Sequence, residues 1–425
     1  MVVASTVDQP RRHDLDLVRV LVVAGLIVFH TACVFVPNGF YVTNRPPSYV
    51  LMMFVFFTKL WGMPLLFMVA GVGIWHSLSA RSARVFVRER LQRLLVPLLV
   101  GILVVVPPQL YYFLLASGRD PGSYWDVLHH FLDVRLTVGF PSFLTTAHAD
   151  GLFELSHLWF LYYLLLYSLL LLPVFLYLRR DAGRGVLDWL AASARAPWAS
   201  FVLVAVPVVL IEVFLGTIGP GSWHSLVHLP FLLYGFVLEA DRRLSTAVQA
   251  TWKPALAVGV LALAGLFVIA QFDLGGADSL LGSDHRPWSL VFRLLQALAG
   301  WAWTFAIYGL ATSLGRSAPG RSRSGGAVAP AAGVRHRLAR YANEAVLPFY
   351  VLHQTPIVVI AFYVVRWNLG IPAKFLAISA SSLAVTLLIY DLCVRRANLT
   401  RVLFGMCPKR TEGAPARRLL IGDRR

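Results

Sequence analysis

The sequence predicts an all-α fold: a polytopic integral membrane protein of ten transmembrane helices with both termini on the cytoplasmic side. Three observations carry the prediction. Of the 425 residues, 58% are hydrophobic and only 14% are charged, whereas a soluble domain carries about a quarter charged residues. The chain divides into ten apolar runs, and about 20 apolar helical residues cross a bilayer core. The basic residues gather in alternate loops, as the positive-inside rule demands. Together these exclude a water-soluble enzyme, a disordered chain and a coiled coil. The formal charge of +17 then reads as the cationic side of a membrane protein, not as a nucleic-acid surface. Cys33, Cys393 and Cys407 are too few and too scattered for a disulfide framework or a metal site.

The runs are 17–36, 50–76, 93–116, 155–178, 199–216, 225–238, 254–272, 288–314, 346–366 and 375–394. The first is followed by many others, so it reads as a helix that stays and not as a removable signal. The second carries Lys59 and is interrupted by Gly62 and Pro64, which predict a kink. The sixth is the weakest, short and containing Pro230. With the N-terminus inside, the cytoplasmic segments and the inner helix ends at Arg19 and Arg93 hold 30 of the 38 Lys and Arg, and the outer loops hold six. One missed or extra span would exchange inside for outside in every later loop and destroy this bias. The organisation is a cytoplasmic segment 1–16, a membrane domain 17–395 and a basic cytoplasmic tail 396–425. Within the domain, 316–333 is rich in Gly, Ser, Pro, Ala and Arg and reads as a flexible cytoplasmic linker. The largest outer loop, 117–150, is long enough to fold over the outer mouth.

An ionisable side chain inside a bilayer costs a few kcal/mol, so each needs a partner or a task. His30 lies deep in the first run, toward its outer half. It follows Arg19 by eleven residues, about three turns, which puts both on one face roughly 16 Å apart. Asp16, one turn before Arg19, can pair with it. By spacing alone, His30 is either a satisfied buried histidine or a functional one, and Arg19 either an interface anchor or part of a site. Arg90 and Arg93, one turn apart, offer two planar forks of donors to a phosphate, and they equally fit ordinary positive-inside charge. Glu154 and His157 open the fourth run as an oriented base or as a polar cap at the outer surface. His353 and Gln354 lie about two turns in from the cytoplasm. Glu212 and Asp391 are potential partners for Lys59 and Arg293, with nothing to pair them. His129 and Asp133 sit in an outer loop, and His224 and His228 are one turn apart without a third ligand, so no metal is expected. There is no Gly-rich phosphate loop and no Gly-x-Ser-x-Gly elbow. A solute or lipid transporter using the same polar core is the alternative, although the matching halves of many transporters are not visible.

These residues resemble a family. Leu15-Asp16-Leu17-Val18-Arg19, followed after ten residues by His30, is similar to the opening signature of membrane acyltransferase family three. Met63 to Gly71 is similar to its second-helix pattern, and Arg90-Leu91-Gln92-Arg93 with Leu94 and Pro97 to its Arg-x-x-Arg segment. His157-Leu158-Trp159-Phe160-Leu161, Pro230 to Gly235, and Phe349 to Gln354 are similar to its fourth, sixth and ninth helices. The resemblance runs from about residue 13 to 395, and within the family it points to the branch of the periplasmic-glucan succinyltransferase. Two residues depart from the pattern: Ala70 stands where Ser is usual, and Leu17 where the opening motif has Gly. The resemblance implies an integral O-acyltransferase of the cell inner membrane. It would move an acetyl, succinyl or similar group from cytoplasmic acyl-CoA to a hydroxyl of an extracytoplasmic glycan, or of a lipid or secreted small molecule. It makes His30 a general base or acyl carrier, with Asp16, Arg19 and His157 beside it in catalysis. It assigns Arg90, Arg93 and His353 to binding acyl-CoA.

Overall fold

The computed structural model describes residues 12–37, 40–136, 144–146, 151–194, 196–215, 223–272, 287–317 and 330–409. Parts of the expected N-terminal segment 1–16, outer loop 117–150, linker 316–333 and tail 396–425 lie outside the described residues.

The chain is almost entirely helical. In order come α1 (His13–Cys33) and α2 (Tyr49–Ala80), then α3 (Ala83–Ala116) and α4 (Tyr124–Leu132). A short antiparallel pair, β1 (Val134–Leu136) and β2 (Leu144–Thr146), follows with Arg135 opposite Thr145. Next are α5 (Ser156–Leu170), α6 (Leu172–Leu178), α7 (Asp181–Ser193), α8 (Val202–Leu215) and α9 (Ser225–Ala240). The chain continues through α10 (Arg242–Ala250), α11 (Trp252–Gln271) and α12 (Pro287–Ser317). It closes with α13 (Arg337–Leu352), α14 (Gln354–Val364), α15 (Ile371–Val394) and α16 (Asn398–Leu403).

Six of these, α1, α2, α3, α11, α12 and α15, are long and apolar enough to cross a membrane. Two bent pairs, α5 with α6 at 51° and α13 with α14 at 56°, bring the number to eight if each pair is one span. The sequence leads to ten. The other two apolar runs fall on α8 and α9, helices of fewer than 18 residues. A run of apolar residues records length but not the breaks: α8 ends in a π turn at Ile211–Leu215, and α9 is entered through a 3₁₀ turn at Trp223–Val227. The kink expected in the second run is not a break, since α2 is continuous through Gly62 and Pro64.

The long helices are apolar on both faces, as spans are. On α1, Leu15, Val23, Leu26 and Ile27 are buried, while Leu17, Leu21 and Val28 face outward. Small residues decide where helices touch. A Cβ on Gly71 of α2 would fall on the carbonyl of Leu232, and one on Gly235 of α9 on the carbonyl of Met68. The two helices therefore meet backbone to backbone, as small residues allow in membrane proteins. Gly101 of α3 similarly admits the side chain of Leu158, bringing the start of α5 against α3.

Candidate active site

Three irregular pieces of backbone meet around His353, which bonds His30. The chain turns sharply between α13 and α14, and His353 is the corner residue. α5 opens with the 3₁₀ turn Ser156–Leu158, and Ser156 has φ 50°, a left-handed conformation uncommon for a residue other than glycine. α3 contains a π turn at Gly101–Val105 followed by Pro107. Broken backbone at membrane depth is tolerated only where it is enclosed by protein or lines a cavity, and strained backbone tends to gather at functional sites.

Three histidines meet there. His30 Nδ1 lies 3.1 Å from the carbonyl of Leu26 and 3.0 Å from His353 Nε2. His353 Nδ1 donates to the carbonyl of Tyr350 at 2.7 Å. His157 Nε2 donates to the carbonyl of Val351 at 2.9 Å, and its Nδ1 faces the Ser156 hydroxyl at 3.3 Å. The Tyr350 hydroxyl returns a bond to the carbonyl of His157, so the end of α13 and the start of α5 are stapled in both directions. Ring centroids are 4.9 Å apart for His30 and His353 and 5.2 Å for His157 and His353. His157 and His353 are buried. His30 is half-buried between Phe29 and Phe40, and no described residue bonds its Nε2.

A neutral network supports the cluster. Gln354 Nε2 donates at 3.0 Å to both Gln109 Oε1 and the Ser156 hydroxyl, which itself donates to Gln109 Oε1 at 2.9 Å. Gln109 Nε2 reaches Thr355 Oγ1 at 2.9 Å, and both side chains bond the carbonyl of Val105 beside the break in α3. Gln109 and Thr355 carry no charge, so a search for ionisable groups in apolar runs passes over them. The signal for Gln109 was an amide placed directly after Pro107 and Pro108. Glu154 does not orient His157. It accepts from the Tyr41 hydroxyl, and burial holds its carboxyl above the ordinary carboxylate range, partly offset by that bond.

Elsewhere the charged residues expected at the site fall into two groups. At the start of α1, Arg19 pairs with Asp16 at 3.2 Å and donates to Asn343 Oδ1 at 3.0 Å. Arg90 lies 5.0 Å over the Phe86 ring, Arg93 donates to Cys407 Sγ at 3.1 Å, and the two guanidiniums are close enough to repel. Several further charges have structural partners. Glu212 accepts from Gln296 at 2.9 Å, Arg293 donates to the carbonyl of Val213 at 3.4 Å, and Asp391 takes Arg395 and Tyr341. Lys374, expected in an outer loop, is buried against Asn44 Oδ1 and the carbonyl of Val365. His228 is stacked between Phe67 and Trp159, while the side chain of His224 lies outside the described residues. His129 is on α4 and not in the cluster. Among the described residues no three His, Cys or carboxylate side chains are arranged to hold a metal. His353, expected near the cytoplasm with the donor-binding cations, sits at the depth of His30 and bonds it.

Comparison with known proteins gives a consistent picture. A family model described as an acyltransferase domain matches residues 12–391. The glucans biosynthesis protein C of Salmonella paratyphi A, Salmonella typhi and Salmonella typhimurium is in each case 22% identical over 245 residues. Each match covers 54% of this chain and 59% of the relative, so the chain spans about three fifths of the length of the curated relatives it matches. No solved structure matches the chain.

Proposed function

The chain belongs to the acyltransferase family whose domain spans it, and from that premise we propose that it is a multi-pass inner-membrane O-acyltransferase. The donor is cytoplasmic acyl-CoA. The acceptor is a hydroxyl on the outer side, and the relatives named for glucan biosynthesis favour a glycan. The observation that carries this reading is the open Nε2 of His30 on a helix whose other end holds Arg19, with a buried histidine behind its Nδ1.

In the direct route, His30 Nε2 takes the proton of the acceptor hydroxyl as the oxygen attacks the thioester carbonyl. The new C–O bond forms, the C–S bond breaks, and the departing thiolate receives the proton. In the covalent route Nε2 attacks the thioester carbonyl, the C–S bond breaks and the coenzyme A thiolate departs; the acceptor oxygen then attacks the acyl carbon, the N–C bond breaks, and the hydroxyl proton is left on Nε2 and passes to the thiolate. Asp16 and Asn343 orient Arg19, which positions the donor along the shared face of α1. Arg90 and Arg93 take phosphates of coenzyme A, and an anion between them relieves their mutual repulsion. His157, with both ring nitrogens engaged, holds the end of α13 in place. The split of 30 basic residues against six supports ten spans with both termini inside, arranged as a membrane domain 17–395 between the segments 1–16 and 396–425.

The test is purified protein in vesicles with acyl-labelled acyl-CoA on one side and a glycan on the other. Release of free coenzyme A coupled to labelled glycan is expected. Passage of intact donor without thioester cleavage would make the protein a transporter and overturn the proposal.

A further inference from the structure

We propose that His353 is a positioning residue for the transfer: it fixes His30 in the tautomer that leaves the lone pair on Nε2, and it stabilises the imidazolium that forms there. The inference rests on the reading of His30 as the reacting base or nucleophile.

Carbonyl oxygens accept hydrogen bonds and never donate, and this assigns the protons. The carbonyl of Tyr350 lies 2.7 Å from His353 Nδ1, so that nitrogen carries hydrogen. In a neutral ring, His353 Nε2 is then an acceptor. The carbonyl of Leu26 lies 3.1 Å from His30 Nδ1, so that nitrogen also carries hydrogen, shared with His353 Nε2 at 3.0 Å. The lone pair of His30 is left on Nε2, the nitrogen no described residue bonds.

The chain of bonds runs carbonyl, histidine, histidine, substrate. When Nε2 takes a proton or an acyl group, the positive charge spreads to Nδ1–H, and His353 is already placed to accept it. Serine hydrolases fill this place with a carboxylate. A neutral imidazole gives the same direction without burying a net negative charge, which membrane depth penalises.

The ring of His353 has little freedom to turn. It is held by the carbonyl of Tyr350, lies parallel to Phe349 at 6.1 Å, and meets His157 edge-on at 5.2 Å. Its backbone N–H still bonds the carbonyl of Phe349 at 3.0 Å. The bend after it turns the chain away toward α14. The residue is fully buried, so this is not a surface histidine drawn toward His30 by chance.

The experiment compares His353→Leu with His353→Gln in the full-length protein. Leu fills the space without an acceptor, while Gln keeps a carbonyl oxygen. Leu is expected to lower kcat about ten- to a hundredfold, the loss of a hydrogen bond to a charged group, with KM for both substrates unchanged. Gln is expected to recover part of the loss. A packing role would favour Leu over Gln, so a folded Leu variant with wild-type kcat overturns the proposal. Nitrogen-15 spectra of histidine-labelled wild-type protein give a second measurement that needs no folded variant at position 353, with His30 assigned by its loss in His30→Gln. A protonated Nδ1 and bare Nε2 on His30 are expected, and the reverse tautomer overturns the proposal. The two readings separate cleanly: an active His30→Ala variant removes the role of His30, whereas an inactive His30→Ala beside a fully active His353→Leu removes only the role of His353.

Discussion

Replacing Gly235 by Ala places a methyl group where the backbone of α2 already is. The new Cβ would fall on the carbonyl of Met68, with Met68 Cα also only 3.1 Å away. On the other helix, a Cβ at Gly71 would fall on the carbonyl of Leu232 and lie 2.9 Å from the nitrogen of Phe236. The obstacles are backbone atoms, so no rotamer change relieves them and α2 and α9 must move apart. Overpacking costs about 1–3 kcal/mol, and each single Ala variant belongs at the upper end of that range. One separation of the helices accommodates both methyl groups, so the double variant should lose less than the sum, with a coupling of about 1–2 kcal/mol. Gly25 and Gly73 provide the control, since a Cβ at either meets nothing within 4 Å. Ala there should be neutral or stabilising by up to about 1 kcal/mol through helix propensity. Denaturation of the purified protein in detergent measures all five variants. Transfer rate should fall with the Gly235→Ala separation, because α2 carries Phe67, stacked on His228, which stacks in turn on Trp159 beside the site. A Gly235→Ala protein as stable as wild type, or strict additivity of the double variant, would refute the backbone contact.

Arg90→Ala and Arg93→Ala should each raise the donor KM by the equivalent of about 1.5–3 kcal/mol, with Lys restoring only part because it lacks the planar fork; unchanged donor affinity in a stable double variant removes that role. Glu154 has a carboxyl raised by burial, so the stability it contributes is present at acid pH and lost as pH rises through its raised value. Wild type should therefore lose stability relative to Glu154→Gln as pH rises above the ordinary carboxylate range, and a difference that does not change with pH contradicts the assignment. Lys374→Met removes the donor to Asn44 and to the carbonyl of Val365, and should cost about 1–3 kcal/mol in detergent denaturation; a neutral effect would mean that the buried ammonium is not what pins this loop. Cysteines introduced in 117–150 should react with an impermeant reagent from outside and those in 316–333 should not, in a background without the exposed Cys393 and Cys407; outside labelling of the second region breaks the ten-span arrangement.

Much of the fold was legible because a bilayer makes apolar length visible: every apolar run of the sequence lies on a helix or a bent helix pair. The breaks were less legible. The turn at His353 and the left-handed Ser156 depend on contacts between segments far apart in the chain, which periodicity does not record. The pairing of Asp16 with Arg19 followed from i, i+3 spacing. Its companion Asn343 lies 324 residues away and did not. Glu154 and His157 read as neighbours on one helical face. The backbone at Ser156 sends them to different partners, Glu154 to Tyr41 and His157 to the carbonyl of Val351. His353 reads as two turns from the cytoplasm because its apolar run begins at 346, whereas His30 lies toward the outer half of its own run and the two rings bond. Only the tertiary contact with His30 reveals its level.

The central claim is that His30 performs the transfer chemistry through its Nε2. The most direct measurement is the turnover of His30→Ala, purified and shown by denaturation to be as stable as wild type, with acyl-CoA and a glycan acceptor. A proton-transfer role alone contributes about 10²–10⁴-fold in rate, so kcat should fall by at least that much, and donor binding at Arg90 and Arg93 should persist. Turnover within a few fold of wild type would contradict both the general-base and the acyl-carrier routes.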